Sequence, residues 1–143
     1  MNTATHVELE RLVPAPRAVV FQAWLDPVAL ARFMCPAEGA TVASAETDPR
    51  VGGQFRIVMR VGGRDRPHQG QYRLIEAPAR LVFTWESEVA PPGSEVTLTF
   101  DEAGAGQTLV TLVHRGLPAA VHAAHHDGWT HILALLAMTA TTK

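Results

Sequence analysis

Three histidines offer the sequence's most versatile chemistry. His68 shares strand parity with Tyr72 and Leu74, and His114 shares it with Val110 and Leu112 near the end of a strand. His125 stands about one helical turn before Gly128 and Trp129. All three fall on faces predicted to point inward. A neutral imidazole donates, accepts and exchanges a proton near neutral pH. Three of them around one pocket would orient the carbonyl, phenol or carboxylate head of an apolar ligand, and one would serve as a general base. The competing reading is structural: buried histidines that cap backbone groups or sit at a rim with water. Tyr72 and Trp85 each keep a polar tip that seeks a partner when buried. His122 and His126, four residues apart, share a helical face that a metal could bridge. No third and fourth ligand accompany them, because His125 and Asp127 point elsewhere, so neither a metal site nor a cofactor is expected.

Several chemistries are excluded by counting. Cys35 is the single cysteine, which leaves no internal disulfide and no cysteine-clustered zinc site. Nothing marks it as a nucleophile. Lys143 is the sole lysine, so a Schiff-base mechanism would have to use the last residue. No nucleophile elbow, phosphate loop, dinucleotide fingerprint or zinc-protease motif is present. The 143 residues are 47% hydrophobic and 18% charged, with a formal net charge of −2. Such a chain can build a core, and its charge does not mark a nucleic-acid or membrane-surface binder. No apolar run would span a bilayer, and the polar start lacks the pattern of a secretory signal, so a cytoplasmic protein is expected.

The elements that must position the histidines follow from periodicity. His6 to Val13 reads as a strand, ended by Pro14 and Pro16. Two short helices follow, with Asp26 as cap and Pro27 at the first position of the second. From Thr41 the period becomes two. Strands are predicted over Thr41–Thr47, around Phe55, Ile57 and Met59, over His68–Glu76 with Tyr72 and Leu74 on one face, through Leu81, Phe83 and Trp85, through Val96, Leu98 and Phe100, and through Val110, Leu112 and His114. Gly62-Gly63 and other glycine turns join them as hairpins. Arg50–Arg80 carries seven arginines against two acids, and Glu86–Glu102 carries five acids and no base. Neighbouring strands of opposite sign would pair on the solvent face. After Pro118 the period turns helical, with Val121, His125, Gly128, Trp129, Ile132, Leu135, Leu136 and Thr139 on one stripe. Gly128 within it suggests a bend or a close backbone approach. The result is an α+β fold over residues 1–143: one domain, order β-α-α-β-β-β-β-β-β-α, with a curved antiparallel sheet covered by a long C-terminal helix. The space between them is the expected pocket.

These pieces resemble a known family. Val20-Phe21-Gln22-Ala23-Trp24 with Asp26-Pro27, Asp48-Pro49-Arg50-Val51-Gly52-Gly53-Gln54-Phe55, Gly70-Gln71-Tyr72-Arg73-Leu74-Ile75-Glu76, Arg80-Leu81-Val82-Phe83-Thr84-Trp85, Leu112-Val113-His114-Arg115-Gly116-Leu117 and His125-His126-Asp127-Gly128-Trp129 recur in this order and spacing. They resemble homologues of the heat-shock-protein-ninety ATPase activator, within the START-like (SRPBCC) superfamily. The resemblance implies a helix-grip fold and a binder of small molecules. It also leaves open an enzyme of cyclase or hydrolase type using a pocket histidine, and a chaperone-ATPase regulator. Regulators of that kind carry a further N-terminal domain, and this sequence starts at the first strand, so a chaperone partner is not expected. Where the family has a tryptophan-rich segment, this chain reads Phe33-Met34-Cys35-Pro36. The expected ligand is a small hydrophobic molecule. Its apolar walls would be Phe55, Ile57, Met59, Phe83, Trp85, Leu98, Leu112, Trp129 and Ile132, and its orienting groups His68, Tyr72, His114 and His125. The edge strands and the C-terminal helix leave room for a homodimer.

Overall fold

The computed structural model describes residues 6–140. The reading of the extreme N-terminus and of Lys143 therefore lies outside the described residues. Strand β1 (His6–Val13) leads into helices α1 (Arg17–Ala23) and α2 (Pro27–Phe33). Six strands follow: β2 (Thr41–Thr47), β3 (Gln54–Val61), β4 (Arg64–Glu76), β5 (Arg80–Thr84), β6 (Glu95–Glu102) and β7 (Thr108–Arg115). A 3₁₀ turn (Ala119–Val121) precedes helix α3 (His122–Thr139). The seven strands form one sheet in the order β1-β7-β6-β5-β4-β3-β2. Every neighbouring pair is antiparallel.

Local chemistry explains the turns between elements. Asp26 accepts a hydrogen bond from the Val28 N–H at 3.0 Å and caps α2, with Pro27 at its first position. Such a cap contributes about 1 kcal/mol. Gly62 and Gly63 both take positive φ, +60° and +79°, which is the two-residue turn that matches strand twist. Pairing resumes at once, Val61 with Arg64. The fourth strand therefore begins at Arg64, four residues earlier than the alternation around Tyr72 indicates.

A second difference lies further along the same strand. The register shifts between Tyr72 and Leu74, so that Tyr72 pairs with Phe83 but Ile75 pairs with Leu81. One extra residue switches the side chains to the other face. Tyr72 and Ile75 therefore pack on the core, and Leu74 does not share the face of Tyr72. Trp85 is buried as expected, although it stands one residue beyond the end of β5.

The core sits between the concave face of the sheet and the C-terminal two-thirds of α3. Trp129, Ile132, Leu133, Leu136 and Ala137 are the buried residues of that helix. The buried stripe is thus rotated from the predicted one: Leu133 and Ala137 join it, whereas Thr139 and the first two turns, residues 122–128, contribute no buried side chain. Helices α1 and α2 close one end, with Phe21 edge-on to Phe100 at 5.2 Å and Trp24 edge-on to Phe33 at 5.0 Å. Opposite charges do meet at the surface, as in Arg60–Asp65 and Arg64–Glu88, both at 2.7 Å. Arg64–Glu88 joins the basic and the acidic segments. Such exposed pairs add little to stability.

Candidate functional site

A cleft of about 400 Å³ opens beside the unburied start of α3. Its walls come from the β3–β4 hairpin (Met59, Val61, Arg66, His68), from Trp85 and Val89 after β5, from Pro36 and Ala37 after α2, and from α3 itself (Ala124, His125, Asp127, Gly128, Trp129, Ile132). This is the size of a small-molecule site. Gly128 faces Pro36 across it. A Cβ added there would meet Pro36 Cβ at 3.5 Å, an ordinary contact, so no close backbone approach requires this glycine.

The thirteen residues expected at a site divide into three groups. Met59, His68, Trp85, His125, Trp129 and Ile132 line the cleft together. Phe55, Ile57, Tyr72 and Phe83, with Trp85 again, surround an interior void of about 10 Å³, close to the least that one water needs. Trp24 lines this void, and its indole N–H has no partner among the described residues. Leu98 and Leu112 face each other across β6 and β7, wholly buried. His114 is wholly buried as well, behind Trp129. The expected pocket along the whole sheet is therefore mostly filled by large side chains, and the open part is confined to one end.

His114 belongs to a hydrogen-bonded chain whose direction is fixed. The Trp129 indole can only donate, so its N–H gives a bond to His114 Nδ1 at 3.0 Å. His114 must then carry its proton on Nε2, which donates to Ser94 Oγ at 2.9 Å. The Ser94 hydroxyl in turn donates to the Trp85 carbonyl oxygen. The chain begins on one tryptophan and ends on the other. Their rings meet at 4.9 Å and together form the aromatic wall of the cleft. Ser94 was not among the residues picked out from the sequence. It lies two positions before Val96, which pairs with His114, so strand parity alone places it on the inner face.

His68 and His125 are held differently. The Nδ1–H of His68 donates to the Arg66 carbonyl at 3.0 Å, and its ring lies 4.9 Å from that of Trp85. The Nδ1–H of His125 donates to the Val121 carbonyl at 2.9 Å, and its ring stands edge-on to His114 at 5.3 Å. Burial pushes His68 down to about 4 and His114 down to about 3, the latter aided by His125 and His122 nearby. Burial likewise lowers His125. All three are neutral at pH 7. Burial raises the Tyr72 hydroxyl and the Cys35 thiol, so both stay protonated. His122 gives its Nε2–H to the Leu117 carbonyl at 3.0 Å.

These shifts set a pH dependence. The folded-state values of His68 and His114 lie below the unfolded value near 6.5, so the unfolded chain takes up protons first as pH falls. Their contribution to stability is complete above about pH 6.5 and is lost progressively down to about 4 and 3. Each group gives a slope of up to ~1.4 kcal/mol per pH unit within its window. Urea unfolding at pH 7.5, 6.0 and 5.0 should show stability falling below pH 6.5, and His114→Leu should flatten the fall. An equally steep fall in that variant would contradict the assignment.

A larger groove, about 720 Å³, lies on the opposite face of the sheet. Its lining is polar and of mixed charge, including Glu46, Gln54, Arg56, Gln69, Gln71, Arg73 and Glu86. Phe55 also reaches this groove as its one aromatic lining residue, so it lacks a pair like Trp85 and Trp129.

A curved antiparallel sheet gripping a C-terminal helix, with a cleft at the helix start, defines the helix-grip class of START-like proteins. Residues 14–141 match the family described as Activator of Hsp90 ATPase homolog 1-like protein, and the chain belongs to it. A protein of Chromobacterium violaceum superposes with a TM-score of 0.85 at 27% identity, over 97% of this chain and 99% of that one. The AHSA1 protein from Silicibacter pomeroyi gives 0.77 at 28% identity, over 93% and 95%. An HSP90 activator from Plasmodium falciparum gives 0.71 at 26% identity, over 89% of each chain. No curated protein matches the chain. No helix among the described residues is long and apolar enough to cross a membrane.

Proposed function

We propose that this protein binds a small, largely hydrophobic molecule in the cleft beside the start of α3. The observation that carries this reading is a cleft of about 400 Å³ rimmed by His68 and His125, its floor closed by the buried Trp85–Trp129 pair that a hydrogen-bonded chain holds in place. A cleft of this size with a fixed aromatic floor and a few polar groups at its rim is a feature of ligand sites, because preorganisation lowers the cost of binding.

Native mass spectrometry of the protein purified from its own cells tests the proposal. The expected result is a discrete extra mass that is released on denaturation. Ile132 reaches both the core and the cleft. Ile132→Trp should fill the cleft and abolish that mass while the variant stays folded. Retention of the same mass by folded Ile132→Trp would place the ligand elsewhere, with the polar groove on the outer face the next candidate. A clean apo mass for the wild type would remove the tight-carrier reading.

Chaperone regulation is a second reading. It is favoured by the family description and by the resemblance to the Plasmodium HSP90 activator. Stimulation of a chaperone ATPase by the purified chain would support it over ligand carriage. An enzyme of cyclase or hydrolase type would have to use His68 or His125 as base, since both nitrogens of His114 are engaged.

A further inference from the structure

Resting on the cleft reading, we propose that the polar end of the ligand is an uncharged hydrogen-bond donor, a hydroxyl on an aromatic-sized apolar body, whose proton is received by Nε2 of either His68 or His125. A carbonyl oxygen can only accept, so the bonds to the Arg66 and Val121 carbonyls place the proton of each ring on Nδ1. Each neutral ring then presents Nε2 as a bare lone pair. Neither lone pair has a partner among the described residues: His68 otherwise touches the Trp85 ring, and His125 the His114 ring. Neither is sealed inside, because the buried partnerless side-chain polar atom among the described residues is Trp24 Nε1. Both rings line the cleft.

The remaining polar groups agree with this polarity. The Trp129 N–H, a donor on the same wall, is already spent on His114. Trp85 Nε1–H has no acceptor among the described residues, and a hydroxyl oxygen offers it a lone pair while its own proton goes to a histidine. Arg66 and Asp127 line the cleft as exposed residues of opposite sign, and Arg66 is the one side chain there that would draw an anion. A carboxylate or an ether brings no proton for either imidazole. The low proton affinity that burial gives His68 keeps it from becoming a donor at neutral pH.

Three naphthalenes of one shape distinguish the possibilities: 2-naphthol, 2-methoxynaphthalene and 2-naphthoate, titrated calorimetrically into the full chain at pH 7.5. The expected result is that 2-naphthol binds at least about tenfold more tightly than either analogue, the factor that one net hydrogen bond supplies. His68→Phe or His125→Phe, whichever removes the accepting ring, should narrow that gap, and an unchanged gap in both variants would overturn the assignment. Equal affinity for naphthol and its methyl ether would overturn the donor assignment and leave the cleft reading intact. Preference for naphthoate would overturn it in favour of an anion held by Arg66. Failure of all three to bind would count against the cleft reading, and the donor assignment would fall with it.

Discussion

Replacing His114 with leucine should destabilise the protein by about 3 kcal/mol, although the two side chains are close in size and the site is wholly buried. The imidazole is the middle of a chain in which every proton has one place to go. Leucine would leave the Trp129 N–H without an acceptor inside the core and Ser94 Oγ without a donor. An orphaned buried polar group costs about 1–3 kcal/mol. The cost is specific to the orphan, which gives the measurement its control. Adding Trp129→Phe to the leucine variant removes the stranded N–H, so the double variant should lose less than the sum of the two single changes. Urea midpoints of the four proteins complete the cycle. Simple additivity would mean that the indole and the imidazole are not coupled.

Gly70→Ala should have an effect of similar size for a steric reason. At Gly70, β4 leaves its pairing with β5, between the Tyr72–Phe83 pair and the bridge from Gln69 to Glu86. A Cβ at this position would overlap the Thr84 carbonyl oxygen and stand 2.7 Å from the Phe55 ring. Backbone cannot give way as a side-chain tip can, so a loss of about 3 kcal/mol or more is expected. Gly128→Ala is the contrasting case. Its Cβ would touch Pro36 at van der Waals distance, and alanine favours the helix by about 1 kcal/mol. That variant should be at least as stable as the wild type. Thermal unfolding of the two alanine variants side by side checks both statements. A Gly70→Ala protein that melts with the wild type would contradict the described approach of β4 to β5.

Most of the sheet was legible in the sequence because a half-buried strand writes its burial as alternation. Phe55, Ile57 and Met59 alternate with Gln54, Arg56 and Arg60, and the burial of β3 follows that pattern over those positions. Glycine pairs marked the turns for a steric reason that holds in any context. The shift after Tyr72 was not legible, because one inserted residue leaves composition unchanged while reversing the face of everything after it. The stripe on α3 was misplaced by a rotation. Leu133 and Leu135 are equally apolar, and the shape of the sheet beneath decides which is buried. Inward parity found all three histidines. It could not say that His114 would be fully engaged and His68 and His125 half so, because that depends on which carbonyls and indoles lie nearby. Pro36, Ala37 and Val89 were missed as cleft residues since loops carry no period.

The division of α3 has an evolutionary consequence. Its C-terminal part holds the buried side chains, and its first two turns hold none while lining the cleft. Trp129 and Ile132 serve core and cleft together, but Ala124, Asp127 and Gly128 line the cleft without being buried. Substitutions at Ala124, Asp127 or Gly128 can alter what the cleft recognises while drawing little on a stability margin that is small in any protein. Helices in which the same residues serve both ends must trade one against the other. Under the function proposed above, drift at those three positions would change what the cleft accepts, one tolerated residue at a time, while the buried stripe of the helix stays untouched.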